Sequence, residues 1–140
     1  MSAEQASTNA TPLLLALPMP VRWRDLDAFN HVNNSAYLTY LEETRLHWMS
    51  HIAGEWMNAS YAPILAAVHV NYRRPLNWPA DIIVELHCER VGKTSLTLAH
   101  RIVDANDRGT LYSDGQSVMV WVDPNGKPVA LPDAIRAACA

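Results

Sequence analysis

The hydrophobic residues of this chain change their spacing once, and this change constrains the fold. Over residues 35–51, apolar and aromatic side chains recur at spacings of three, four and seven, which predicts one long amphipathic helix. The segments that follow are rich in apolar and β-branched residues, mostly in alternation, and predict strands at residues 66–74, 81–91, 95–103 and 110–122. Tight turns separate the last three strands, and short turns force antiparallel pairing. We therefore predict an α+β fold with an antiparallel sheet wrapped around the helix.

The two ends of the chain complete this prediction. A short apolar piece around Val21 and Trp23 predicts a fifth strand before the helix, and residues 132–138 predict a short terminal helix. Residues 1–11 are small and polar, and we predict a flexible N-terminal arm over residues 1–17. At 140 residues in total, residues 18–140 are expected to form a single domain.

One helix covers only one face of a sheet. The opposite face is predicted to carry mixed side chains that need cover: Ile83, Thr97, Ala99 and Val103. A second copy of the chain would supply that cover, so we predict an obligate homo-oligomer, either a dimer or a dimer of dimers.

Composition excludes several classes of partner. The net charge of −3 argues against a nucleic-acid binder, which normally presents a basic face. No apolar run approaches the roughly 20 residues that a membrane-spanning helix requires. Cys88 and Cys139 are far apart in sequence and form no disulfide framework, so reduced thiols in a cytoplasmic protein are expected.

The richest chemistry lies at the junction between the first strand and the helix. Residues 25–34 place Asp25, Asp27, His31, Asn33 and Asn34 within ten positions. The first N–H groups of a helix lack internal partners and carry partial positive charge, so they can hold an anion or a developing oxyanion. Helix capping explains the two asparagines well, but Asp27 lies too far from the helix start to be its cap.

At this point the chain resembles a known family. It looks like the hotdog-fold acyl-CoA thioesterases, closest to the 4-hydroxybenzoyl-CoA thioesterase-like group with its FadM and YbgC branches. The resemblance covers about residues 18–132. The matching segments are Val21-Arg22-Trp23-Arg24-Asp25-Leu26-Asp27, His31-Val32-Asn33-Asn34, Tyr37-Leu38, Tyr40-Leu41-Glu42 with Arg45, Asn71-Tyr72-Arg73-Arg74-Pro75 and Gly92-Lys93-Thr94-Ser95.

The resemblance implies a five-stranded antiparallel sheet around one central helix, with the active site at a dimer interface. It implies that Asp27 acts on a thioester carbonyl, either as nucleophile or as general base. It also implies that a backbone N–H at or next to Asn34 holds the carbonyl oxygen. For His31 two roles are open: it orients the substrate, or it packs against the helix start. No metal and no cofactor are implied, because coenzyme A is part of the substrate.

Substrate contacts can be assigned by chemistry. The phosphates of coenzyme A need cations, for which strand ends and a turn offer Arg74, Arg90 and Lys93. Apolar and aromatic candidates for the acyl group are Trp23, Tyr37 and Tyr40, and Asn33 belongs to the same site. Asn30 stands where many relatives of the FadM branch have glycine, which predicts a left-handed backbone.

Other functions remain open at this point. A hydratase or dehydratase on the same fold would need a different spacing between carboxylate and histidine than Asp27 and His31 offer. A non-catalytic acyl-CoA-binding module would have a similar sequence. A metal site from His47 and His51 lacks a clear third ligand.

Overall fold

A computed structural model describes residues 11–140, and residues 1–10 of the predicted arm lie outside the described residues. In chain order the elements are β1 Leu13–Pro20, a single turn of 3₁₀-helix Trp23–Asp25, α1 Asn34–Ser50, β2 Ala62–Tyr72, β3 Asp81–Val91, β4 Ser95–Asp104, β5 Leu111–Val122 and α2 Asp133–Ala138.

The five strands form one sheet in the order β1-β3-β4-β5-β2. Every neighbouring pair is antiparallel. Since β1 and β2 stand at the two ends of this order, they are the edges of the sheet. The predicted antiparallel sheet with one main helix is confirmed, and α1 has 17 residues. This arrangement is consistent with the hotdog fold.

The core lies between α1 and one face of the sheet. Alternate residues of β3 and β4 point to this face, as their period of two requires. One cluster joins Trp48 and Met49 of α1 to Trp121 of β5 and Ile135 of α2. A second cluster joins the N-terminal half of α1 to the sheet, with members that include Tyr37, Leu41, Ile82, Val84 and Ile102.

The first strand lies earlier than predicted. Leu13–Pro20 pairs with β3 from Leu13 opposite His87 to Pro20 opposite Asp81, so the boundary predicted at residue 18 is wrong. The strand predicted around Val21 and Trp23 is also wrong, because Trp23 begins the 3₁₀ turn. Two prolines in β1 are tolerated because an edge strand leaves some backbone N–H groups unpaired.

The outer face of the sheet is more charged than predicted. Glu85 is buried there and accepts hydrogen bonds from Arg101, at 3.4 Å, and from Arg108. Val103 is also fully buried within this one chain. Cover for an apolar outer face is therefore a poor reason to expect a second copy, whereas exposed apolar side chains lie along the β2 edge, among them Ile64, Leu65 and Val68.

The two cysteines meet in the core. Both are buried and reduced, Cys88 on β3 and Cys139 just after α2. Burial and the neighbouring Cys88 thiol raise the pKa of Cys139 to about 12, so this thiol stays protonated. Within residues 11–140, no helix combines the length and the apolar character needed to cross a bilayer.

Two polar side chains, one from α1 and one from β4, are buried between the helix and the centre of the sheet. Arg45 is buried and donates to Ser117 Oγ at 3.1 Å, although its spacing from Glu42 predicts a surface ion pair. His100 is 2% exposed, and its Nε2 lies 3.3 Å from Ser113 Oγ. Burial lowers the pKa of His100 to about 4; the Asp114 carboxylate opposes this shift, while Arg45 and His69 add to it.

This lowered pKa predicts acid sensitivity. Unfolded His100 binds a proton near pH 6.5, whereas folded His100 does so only near pH 4. The unfolded state thus binds more protons between these values, and the free energy of unfolding falls as the pH drops. We expect a loss of about 2 to 3 kcal/mol between pH 7.5 and 4.5 from this residue. Urea unfolding at both pH values should show a smaller loss in His100→Gln.

The exposed His47 provides the matched control. The variant is His47→Gln, because the His47 side chain is 48% exposed and lies outside the core. Equal pH dependence in wild type and His100→Gln would contradict the assignment.

Candidate active site

Asp27 lies in a tight five-residue loop whose backbone uses one of its two carboxylate oxygens. Asp27 Oδ1 accepts from the N–H groups of Phe29, at 2.8 Å, and His31, at 3.3 Å. The loop is closed by the N–H of Asp27, which donates to the carbonyl of His31 at 2.8 Å. Asn30 adopts the predicted left-handed conformation, with φ of 61°. Within the described residues, no hydrogen bond is recorded for Asp27 Oδ2.

The same loop occurs elsewhere in the chain. Asp123 Oδ1 accepts from the N–H groups of Asn125 and Lys127, both at 2.9 Å. The Asp123 N–H donates to the Lys127 carbonyl at 2.8 Å, and Gly126 has a φ of 83°. The loop geometry at Asp27 is therefore an ordinary turn, and any special role of Asp27 must come from what it faces.

Asp27 faces the start of α1. The cap residue Asn33 accepts from the Ser35 N–H at 2.9 Å and from Ser35 Oγ at 2.8 Å. The carbonyl of Asn33 accepts from the Ala36 N–H at 2.9 Å. Among the described residues, no acceptor is recorded for the N–H of Asn34, so the partial positive charge of the helix start is available at this position.

A cavity of about 400 Å³ joins the loop to the helix start. It brings together five of the ten predicted site residues. These are Asp27, His31, Asn34, Tyr37 and Arg74. A carboxylate residue and the first residue of α1 thus line the same cavity.

Three predicted residues near the cavity do not line it. Trp23 is 68% exposed on the 3₁₀ turn, and Asn33 is occupied as the helix cap. Tyr40 lies on another side of α1, where its hydroxyl donates to Asp25 Oδ2 at 2.7 Å. Burial and this hydrogen bond raise the pKa of Tyr40, so the phenol stays protonated and Asp25 has a structural partner.

Arg90 and Lys93 are distant from Asp27 within one chain. They flank the turn between β3 and β4, whereas the loop of Asp27 is tied to the opposite end of β3. The carbonyl of Lys93 accepts from the Leu131 N–H at 3.0 Å, which holds this turn against the C-terminal segment. An 11-residue strand separates the two ends by roughly 30 Å.

The model of the thioesterase-like superfamily matches residues 21–139. The chain belongs to this superfamily. It is a thioester hydrolase by family, and several of the similar proteins are themselves named thioesterases.

Three relatives illustrate this. The long-chain acyl-CoA thioesterase FadM of Escherichia coli is 28% identical over 119 residues, which cover 83% of this chain and 89% of FadM. A putative acyl-CoA thioesterase from Xanthomonas campestris is 50% identical, with a TM-score of 0.78 over 85% of this chain and 99% of that one. A Thermus thermophilus thioesterase, solved with coenzyme A and Zn, is 30% identical, with a TM-score of 0.76 over 93% and 92% of the two chains.

The cavity of this thioesterase also contains residues that the sequence did not single out as site residues. Phe29 and Tyr72 line it, as does Arg73, whose Nε donates to Asp114 Oδ1 at 3.0 Å. Phe29 lies inside the Asp27 loop, so its position in the sequence could have predicted that it lines the cavity. Tyr72 is 38 residues from Asn34, and only tertiary structure brings the two together. The described residues contain no group of three or more His, Cys, Asp or Glu side chains placed to hold a metal ion.

The helix cap at Asn33 is expected to stabilise the protein by a measurable amount. Asn33→Ala removes the acceptor of the Ser35 N–H, and loss of such a cap typically costs about 1 kcal/mol. We expect the thermal midpoint to fall by about 3 °C, measured by circular dichroism. Asn77→Ala is the control, because Asn77 is exposed and no side-chain hydrogen bond is recorded for it within the described residues. Equal midpoints in both variants would contradict the capping role.

Proposed function

We propose that this protein hydrolyses acyl-CoA thioesters to the free acid and coenzyme A, with Asp27 as the catalytic carboxylate. One observation carries the proposal: Asp27 and Asn34 line one cavity, and among residues 11–140 neither Oδ2 of Asp27 nor the N–H of Asn34 has a hydrogen-bond partner. The two groups supply the attacking or proton-accepting oxygen and the donor for the developing oxyanion that thioester hydrolysis needs.

The substrate class is supported by the relatives. FadM is named as a long-chain acyl-CoA thioesterase, and the Thermus structure contains coenzyme A. Arg74 lines the cavity, is exposed, and has no recorded side-chain partner among residues 11–140. Its guanidinium is therefore free to meet a phosphate of coenzyme A, whereas Arg73 is already paired with Asp114.

Two routes fit the geometry. In the first, Asp27 takes a proton from water, the hydroxide adds to the carbonyl carbon, and the coenzyme A thiolate leaves and accepts the proton. In the second, Asp27 Oδ2 itself attacks the carbonyl carbon and expels the thiolate, and water then cleaves the mixed anhydride. In both routes the Asn34 N–H donates to the carbonyl oxygen as it gains negative charge.

We further propose that two copies of the chain pair through the β2 edge. This 11-residue strand is largely exposed, and apolar side chains extend along it, including Ile64, Leu65 and Val68. A long apolar edge with unpaired backbone groups is a template for another strand. The other edge, β1, is shorter and carries two prolines in its last three residues, Pro18 and Pro20, which cannot donate to a ladder, whereas the one proline of β2, Pro63, is its second residue. The exposed Leu46 of α1 borders the same pocket as Leu65, so the apolar surface continues onto the helix.

Antiparallel pairing of two β2 strands would also reposition distant charges. The β3–β4 turn of the second copy would come to the sheet end that holds Asp27. Arg90 and Lys93, which are remote from Asp27 within one chain, would then lie at the end where coenzyme A enters. The phosphate contacts proposed for these two residues therefore depend on the dimer.

Asp27→Asn tests the catalytic proposal. The variant keeps the loop because an amide oxygen can replace Oδ1, but it removes the base and nucleophile, so we expect kcat to fall roughly 10²- to 10⁴-fold. Free thiol release from acyl-CoA substrates of several chain lengths measures this. Asp123→Asn is a matched control, because Asp123 occupies the same turn without the cavity.

Each outcome of this experiment has a clear meaning. Asp123→Asn should retain wild-type kcat. Full activity in Asp27→Asn would exclude Asp27 as the catalytic group. Binding of acyl-CoA without thiol release by the wild-type protein would identify a binding module instead.

A charge at the β2 edge tests the dimer. Val68→Glu places a carboxylate in the proposed apolar seam, so we expect sedimentation to shift from dimer to monomer and thioester hydrolysis to fall at least tenfold. Leu13→Glu is the control, because Leu13 is similarly exposed on the opposite edge. A monomeric wild-type protein with full activity would refute the proposed assembly.

A further inference from the structure

The last residue of β2 is hydrogen-bonded to the first residue of α1. The Tyr72 hydroxyl donates to the carbonyl oxygen of Asn34 at 3.2 Å. Tyr72 ends the strand that we propose as the dimer edge, and Asn34 supplies the proposed oxyanion donor. This contact connects the two structural features on which the proposed function rests.

The ring of Tyr72 is held as well as its hydroxyl. It packs edge-on against Tyr37, with ring centroids 4.9 Å apart and planes at 88°. This geometry is favourable for an aromatic pair. Tyr37 is itself buried in the core, and both rings line the cavity that contains Asp27. Tyr72 therefore meets the start of α1 at two points, one polar and one aromatic.

The capping contacts of the helix start engage the N–H groups that follow Asn34. The Asn33 cap engages the N–H of Ser35, and the carbonyl of Asn33 engages that of Ala36. Asn34 itself is exposed, and its own carbonyl is the acceptor for Tyr72. A shift of the first turn would move the Asn34 N–H relative to a substrate carbonyl, and such donors act only when they are aligned in advance.

We propose that Tyr72 is a positioning residue, which holds the first turn of α1 so that the N–H of Asn34 is directed at the thioester carbonyl. This inference rests on the proposed thioesterase function. It also makes alignment of the donor depend on the β2 edge, because the residue that aligns it is the end of that edge.

Tyr72→Phe tests the proposal, since it removes the hydroxyl and keeps the ring contact with Tyr37. We expect kcat to fall about three- to tenfold while KM stays within about twofold, because the lost interaction acts on transition-state alignment. A thioether analogue of the substrate, which lacks the carbonyl, should bind wild type and variant equally in calorimetry. Sedimentation and the thermal midpoint show whether assembly and fold are retained.

Tyr61→Phe is the matched control. The Tyr61 hydroxyl also donates to a backbone carbonyl, that of Glu55 at 3.5 Å, but it lies outside the cavity. Its kcat should equal that of wild type. A Tyr72→Phe variant with unchanged kcat would overturn the proposal, and so would a raised KM with unchanged kcat or weaker analogue binding, which indicate direct substrate contact.

The two proposals fail in different ways. If wild-type protein releases no thiol from any acyl-CoA, the proposed function itself fails. If wild type is active and Asp27→Asn is inactive, but Tyr72→Phe matches wild type, only the positioning role fails.

Discussion

The packing of α1 against one face of the sheet is the interaction on which the rest of the structure depends. Its buried side brings Tyr37, Leu41 and Trp48 into contact with the strands. Because α1 packs against only one face of the sheet, this packing also fixes the position of its first turn. That turn ends beside the Asp27 loop and beside the end of β2, so the fold determines the location of the cavity.

The same packing desolvates polar side chains at its centre, which costs free energy. Arg45 of α1 and His100 of β4 are buried between the helix and the sheet, where burial lowers the pKa of both. His100 accommodates this by remaining neutral, and Arg45 by donating to Ser117. Desolvated polar groups of this kind are stable only when the surrounding contacts are precise, so they restrict the helix to one register on the sheet.

Most of the fold could be predicted from the sequence where periodicity was strong. The predicted helix at residues 35–51 differs by one residue at each end from Asn34–Ser50, and β3 has its predicted bounds. The first strand could not be placed, because Leu13–Pro20 is interrupted by prolines that only an edge strand accepts. β2 begins four residues earlier than predicted, because a bulge between Leu65 and Ala67 breaks its alternation.

The candidate site was predictable in its local part only. Asp27 and Asn34 flank the same junction, so sequence proximity was enough to expect them together. Tyr40 was predicted to contact the substrate but does not line the cavity. The 3₁₀ turn at Trp23–Asp25 places the Asp25 carboxylate against the Tyr40 hydroxyl, on a different side of α1. The contact between Tyr72 and Asn34 joins residues 38 positions apart, and no local pattern reports it.

The chemistry proposed for the site follows from a turn and a helix cap, each of which uses one polar group and leaves a second one available. The Asp27 turn needs one carboxylate oxygen, as the equivalent turn at Asp123 shows, and within residues 11–140 Oδ2 has no hydrogen bond. The cap at Asn33 engages the N–H of Ser35, and in the same part of the chain the N–H of Asn34 has no acceptor. Either residual group alone would be unremarkable on a protein surface. An acceptor and a donor on two residues that line one cavity would together be complementary to a carbonyl group under attack, so ordinary turn and capping interactions would suffice to build the proposed site.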